Sequence, residues 1–408
     1  MVDLDDHRNL VQRLNLCHFN DGSPGMVHWH PPGYVLYRLL EGAARARIEA
    51  DHYMEVLTPQ LLRRPIWDAS GHWSTFAGGM FRLHDTGVEA ALKPVSCPGH
   101  IQIARRMINS YRDLPLRLAV FGIVHRDEPS GTLHGLLRLR QFTQDDGHVF
   151  CREDQLEEEL DRFCRSVGLF YAAFGISSMA VALSTRPSER AGEESDWDRS
   201  EGALRATLAR LNMPYSVQEG AGAFYGPKIE FSIPDRVGRS WQCGTIQLDL
   251  VMPRRFGLQY QKADRSRGAV MMLHRALYGS LERFMGLVLE QHQGMLPPWL
   301  APEQLRLLPV SPEQDDYASR ALRTFTAAGL RAHVDARRES LARRLVDARA
   351  SGVAVIGIVG EKERASSSIS VKRLDGQRVL PLPAAVDELH QLCAFPSAVM
   401  GSTGDLDG

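Results

Sequence analysis

Residues 121–150, FGIVHRDEPSGTLHGLLRLRQFTQDDGHVF, constrain this chain more than any other stretch. They read as two strands joined by a polar, glycine-containing loop from Glu128 to Gly135. Arg126 and Glu128 are two apart on the first strand, so both side chains leave one face of a sheet. Phe142, Gln144, Asp146 and His148 repeat with the same period on the second. One face therefore presents a ring, an amide, a carboxylate and an imidazole in register, where a purely structural strand would place Val, Ile or Leu. Such a face addresses a ligand.

With 408 residues, 44% of them hydrophobic, the chain can bury a sizeable core and is expected to form two domains. Lys and Arg number 48 against 49 Asp and Glu, a net charge of −1. No global field draws such a chain to nucleic acid or membrane, so any nucleic-acid contact must be a local patch. Cys17, Cys97, Cys151, Cys164, Cys243 and Cys393 are scattered without paired spacing, which argues against a disulfide framework. The N-terminus, MVDLDDHRNLVQRL, lacks the apolar core of a signal peptide. No apolar run reaches the roughly 20 residues of a membrane span. The expectation is a soluble cytoplasmic protein with no membrane association.

Along the chain, apolar spacing predicts a helix over 34–50 that runs into DHYMEVLTPQLL, a short strand closed by Pro59. By pattern this is an ordinary core pair or a dimer element. Residues 64–92 read as loops and short strands. The turn Cys97-Pro98-Gly99-His100 leads into a helix from about Ile101, and a Cys there is either a metal ligand or an inert buried thiol. Amphipathic helices are predicted over 153–174 and 198–212. GAGAFYGPKIEFSI and WQCGTIQLDLV read as an antiparallel pair. Lys228 and Glu230 share a face of the first strand; Gln242 and Cys243, then Thr245, Gln247 and Asp249, put polar groups on the second. A helix over 275–291 opens with His274-Arg275, and its Arg283 reads on pattern as a snorkelling surface cation. PPWLAP at 297–302 marks a domain junction. Beyond it, strands 305–310, 331–335, 353–359 and 368–373 with helices 313–329, 340–350 and 384–393 predict a small α/β domain with a mixed sheet. The tail is expected to be disordered.

The ordered set KPVSCPGH, FGIVHRDEPSGTLHG, RLRQFTQDDGH, FYGPKIEF, QCGTIQLD and HRALYGSLERF resembles the catalytic core of threonyl-tRNA synthetases, over about residues 5–393. These are class II aminoacyl-tRNA synthetases. The resemblance implies an α+β fold: a class II antiparallel sheet flanked by helices over 1–299, an anticodon-binding-like α/β domain over 300–396, and a tail over 397–408. It implies a short form without N-terminal editing domains. It implies that the strand closed by Pro59 is a homodimer interface. Arg126 and Arg283 then match the arginines that grip the phosphates of ATP, Glu128 a carboxylate at the nucleotide, and Phe142 the ring stacked on adenine. Cys97, His148 and His274 match three ligands of one Zn²⁺ per subunit, Asp146 the carboxylate on the threonine hydroxyl, and Gln144, Lys228, Gln242, Thr245 and Gln247 polar groups around the amino acid. The implied reaction joins L-threonine to ATP, with Mg²⁺, and passes the acyl group to tRNA.

Three departures accompany the resemblance. Without editing modules, serine, which offers zinc the same donors as threonine, is expected to be activated too. The family's KPMNCPGH is KPVSCPGH, with Val95 and Ser96 beside a zinc ligand. DARRESLARRLVDA replaces the family's DxRNEKIGYKIRE, removing groups that would read base edges. The cluster Arg337, Arg338, Arg343 and Arg344 is left as a phosphate-binding candidate. A specialised paralogue acting on a non-standard tRNA or another acceptor is the second reading, and a tRNA-binding regulator without catalysis the third.

Overall fold

The computed structural model describes residues 5–83 and 87–397. The described chain forms two compact units, one of residues 19–26, 41–83 and 87–287, the other of residues 5–18, 27–40 and 288–397. The tail expected over 397–408 lies, from residue 398, outside the described residues.

The larger unit is organised by an eight-stranded sheet. Its strands are β1 (Met54–Glu55), β2 (Leu116–His125), β3 (Gln141–Cys151), β4 (Ala180–Ser184), β5 (Ser216–Gln218), β6 (Lys228–Pro234), β7 (Ser240–Asp249) and β8 (Met271–Ala276). They lie in the order β5-β4-β6-β7-β8-β3-β2-β1. The continuous run from β4 to β2 is antiparallel, and the two edge strands pair parallel. This is the sheet the resemblance implies. Central β8, MMLHRA, is buried at every position, as a strand covered on both faces must be.

Helix α1 (Pro31–Ala50) precedes β1, and α2 (Cys97–Met107) begins with Cys97 itself, Pro98 fitting the first turn where no N–H is needed. It packs Ile101 and Ala104 against Leu116, Leu118 and Phe150 of the sheet. Helix α3 (Leu156–Ala172) carries Glu157, Glu158 and Glu159 in its first turn, where the dipole favours them. Helix α4 is Glu194–Arg210, and α5 is Leu281–Gln291.

Three expectations are corrected here. His274 and Arg275 do not open a helix but lie on β8; the helix starts only at Leu281, after a turn at Gly279 (φ +70°). Apolar periodicity ran through the turn because a fully buried strand has no period of its own. Arg126 and Glu128 lie beyond the end of β2 at His125, although the Arg126 N–H still donates to the Arg140 carbonyl at 2.8 Å. Residues 64–92 are not only loops and strands: Arg64–Ser70 is a helix, started by Pro65 in its first turn.

The smaller unit contains the expected mixed sheet: β9 (Leu305–Pro309), β10 (Ala332–Val334), β11 (Val355–Val359), β12 (Ser368–Arg373) and β13 (Gly376–Pro381). The order is β10-β9-β11-β12-β13, the first three parallel and the last two antiparallel additions. Helices α6 (Asp315–Ala327), α7 (Leu341–Ala350) and α8 (Leu382–Leu392) cover it, with Leu305, Leu307, Phe325, Ile369 and Leu389 in the core.

The arginine cluster of this unit divides: Arg337, Arg338 and Arg343 are exposed, and Arg344 is buried. Arg344 is 3% exposed and donates to the carbonyls of Asp335 and Pro309 at 2.7 Å each. Arg337 pairs with Asp335 (2.8 Å) and Asp347 (3.0 Å), Arg338 with Asp315 (3.1 Å), and Arg343 with Asp347 (3.1 Å). Three neighbouring aspartates pair with the exposed members of the cluster.

Candidate active site

Three elements bring the expected ligand set together. Cys97 comes from the start of α2, His148 from β3 and His274 from β8, and all three are buried. The two strands are neighbours in register, with His148 directly opposite His274. One ligand atom from each residue lies within 4.8 Å of the others. His148 Nε2 and His274 Nδ1 are 3.1 Å apart. Two nitrogens on one tetrahedral zinc, at bonds of ~2.0–2.1 Å, would be separated by about 3.3 Å.

The atoms behind these nitrogens fix which lone pairs face inward. His274 Nε2 lies 3.0 Å from Asp249 Oδ2 and donates to that carboxylate, leaving Nδ1 bare. His148 Nδ1 lies 2.7 Å from His100 Nδ1, so a hydrogen on His148 Nδ1 leaves its Nε2 bare as well. Burial holds the His148 imidazole well below its ordinary pKa, hence neutral, and pushes the Cys97 thiol well above its own. A buried thiol becomes a thiolate when a cation sits on it. The donor set fits zinc.

Beside this set is a cavity of about 70 Å³, also lined by Arg126, Gln144, Asp146, Thr245 and Gln247. Gln144 Oε1 and Gln247 Oε1 are buried there without a hydrogen-bond partner. Such orphans cost roughly 1–3 kcal/mol each unless a ligand satisfies them. Asp146 accepts from the Ser96 N–H at 3.2 Å and keeps Oδ1 3.7 Å from His148 Nε2. Ser96, one of the departures, has a buried Oγ with no partner, and Val95 lines the cavity.

Arg126 Nε donates to the Pro94 carbonyl (3.2 Å), and its guanidinium stands 5.1 Å from the Phe142 ring centre. Burial, and then the like charge of Arg283, lower its pKa. Arg283 does not snorkel: Nη1 donates to the Gln242 carbonyl (2.7 Å) and Nε to the Leu137 carbonyl (2.9 Å). Two half-buried guanidinium groups that repel each other form a place for an anion. Glu128 accepts from Arg138 at 3.1 Å. Lys228 is ion-paired with Glu230 at 2.6 Å and sits opposite Gln247 in the ladder. Phe142, Glu128, Gln242, Lys228 and Arg283 are thus near the cavity's strands but outside its lining.

Sequence reading assigned no role to three residues. Tyr225 stacks on the His274 ring (4.8 Å, 28°), His100 backs His148, and Asp145 accepts from the N–H groups of Leu277, Tyr278 and Gly279 at 2.6–3.1 Å. The available signals were an aromatic inside FYGP, a second His three residues after Cys97, and a doubled Asp in TQDDGH.

An antiparallel sheet with a small polar cavity beside a zinc-competent triad fits the catalytic core of a class II aminoacyl-tRNA synthetase. Residues 81–292 match the family described as tRNA synthetase class II core domain (G, H, P, S and T), and residues 304–392 match the anticodon binding domain. Among curated proteins, the threonine–tRNA ligase of Dichelobacter nodosus is 42% identical over 95% of this chain and 61% of its own length. That of Caulobacter sp. (strain K31) is 46% identical over 96% and 60%. A solved RNA binding domain of threonyl-tRNA synthetase from Cryptosporidium parvum Iowa II superposes with a TM-score of 0.93 at 34% identity, covering 97% of this chain and 100% of that one. The chain belongs to the threonyl-tRNA synthetase family. It spans about three-fifths of the length of the curated relatives it matches. Prolyl-tRNA synthetase from Cryptosporidium parvum, at 15% identity and a TM-score of 0.72, shares the fold.

Proposed function

We propose that this chain is an ATP-dependent threonine–tRNA ligase, with a catalytic domain over 1–299 and an anticodon-binding-like domain over 300–396. Arg126 and Arg283 hold the phosphates of ATP, delivered as its magnesium complex, Glu128 contacts the nucleotide, and Phe142 stacks on adenine. The threonine carboxylate attacks the α-phosphorus, the bond to the β-phosphate oxygen breaks, and pyrophosphate leaves. Both guanidinium groups stabilise the charge that develops on the phosphoryl oxygens. The threonyl group then passes from the adenylate to a terminal ribose hydroxyl of tRNA, which loses its proton as the acyl–phosphate bond breaks and AMP leaves.

Cys97, His148 and His274 are the residues that would hold zinc. Bound zinc supplies a Lewis acid wanting one more oxygen or nitrogen donor, which separates threonine from near-isosteric valine where an apolar pocket could not. Asp146 accepts from the threonine hydroxyl, while Gln144, Thr245 and Gln247, flanked by Lys228 and Gln242, surround its polar atoms. The reading rests above all on the two unpaired amide oxygens of Gln144 and Gln247 beside a zinc-competent triad. An apolar substrate would leave those oxygens unsatisfied. A cytoplasmic homodimer is part of the proposal, supported by Met54 (45% exposed) and Leu57 (82%) at the sheet's β1 edge. Among the described residues no helix is long and apolar enough to cross a membrane.

Charging of tRNA with labelled threonine tests the reading. The intact chain should acylate tRNA, and Arg126→Ala should lower kcat by about a hundredfold or more while retaining its metal. Absence of charging by the intact chain, or full charging by the variant, would contradict it.

A further inference from the structure

A second group of imidazoles lies in the smaller unit, on a short hairpin that the proposed catalysis does not use. Strands Cys17–His18 and His28–Trp29 pair antiparallel, with His18 directly opposite His28. The His18 ring is stacked on that of His28 at 4.9 Å and lies 5.1 Å from that of His30. His18 and His28 are exposed and His30 is half-buried, so an ion can reach them from solvent.

The hydrogen bonds determine where the lone pairs point. His30 Nδ1 lies 2.7 Å from Asn15 Oδ1. An amide oxygen only accepts, so His30 carries its hydrogen on Nδ1 and a bare lone pair on Nε2. That lone pair faces His18 Nδ1 at 2.8 Å. The arrangement repeats the one inside the candidate active site, where Asp249 fixes the tautomer of His274 and turns its other nitrogen towards His148. Opening the His18–His30 pair by about half an ångström gives the ~3.3 Å separation of two nitrogens on tetrahedral zinc. Imidazole donors favour zinc, copper or nickel over magnesium and calcium.

We propose that His18 Nδ1 and His30 Nε2 bind a divalent transition-metal ion, zinc foremost, with water completing the shell. Asn15 is the positioning residue of this site. Its backbone is left-handed (φ +53°), so Asn15→Gly removes the acceptor without straining the turn.

Equilibrium dialysis of the full chain against buffered micromolar zinc, with metal counted per chain, tests this. His18→Ala and His30→Ala should each bind one zinc fewer than the unsubstituted chain. Asn15→Gly should keep the ion but weaken it about tenfold or more. Because the histidines are near the surface, unchanged far-ultraviolet dichroism should accompany the loss. Equal zinc stoichiometry in the unsubstituted chain and both alanine variants would overturn the proposal. So would an Asn15→Gly chain with unchanged affinity, for the positioning role.

Discussion

Glu282 sits next to Arg283 and is buried, yet it holds the Thr143 N–H at 3.0 Å and the Ser280 hydroxyl at 3.1 Å. Burial pushes its carboxyl up to about 7, against the opposing pull of those bonds. Its value in the unfolded chain is about 4.3, so between the two the folded state binds more protons. Stability from this group is therefore complete below about pH 4 and lost as pH rises through 7. We predict that Glu282→Gln, which keeps an acceptor without the charge, flattens that decline. Unfolding free energies from urea titrations at pH 5 to 8 should diverge from those of the unsubstituted chain by up to about 3 kcal/mol. Parallel pH profiles would remove Glu282 as the cause. Spacing could not have revealed this residue, because its meaning depends on the Thr143 N–H, distant in sequence. The site residues carried on quoted motifs were, by contrast, legible: Cys97, His148 and His274 do converge. What stayed hidden were their supports, His100, Tyr225 and Asp145, which act through distances between elements rather than through any pattern within one.

At the scale of elements, the β2–β3 hairpin was readable because half-buried strands alternate, and the two strands pair over ten residues from Leu116↔Phe150 to His125↔Gln141. The β8–α5 connection was misread because β8 is buried on both faces and joins the helix without a polar interval. Its turn is set by Gly279 instead. A Cβ there would lie 2.4 Å from the Cys243 carbonyl oxygen, in a backbone conformation (φ +70°) that disfavours L side chains. Gly279→Ala should destabilise the larger unit by about 1–3 kcal/mol or more, seen as a lower urea midpoint. A change within about 0.5 kcal/mol would show that the turn tolerates the methyl group. The turn leads into the helix that carries Arg283 and rests on Asp145. The arginines near 340 show the reverse limit: the sequence displays their charges, but only the fold reveals the aspartates that pair with Arg337, Arg338 and Arg343.

For the whole molecule, a net charge of −1 leaves recognition to local sites, and the best defined of these is the polar cavity beside the zinc-competent triad. The central claim is that this cavity selects and activates threonine. Threonine-dependent exchange of labelled pyrophosphate into ATP, by the zinc-loaded full chain, tests it without involving tRNA. The account predicts rapid exchange with threonine and at least a hundredfold less with valine, which lacks the second donor. No exchange with threonine, or comparable exchange with valine, would contradict it.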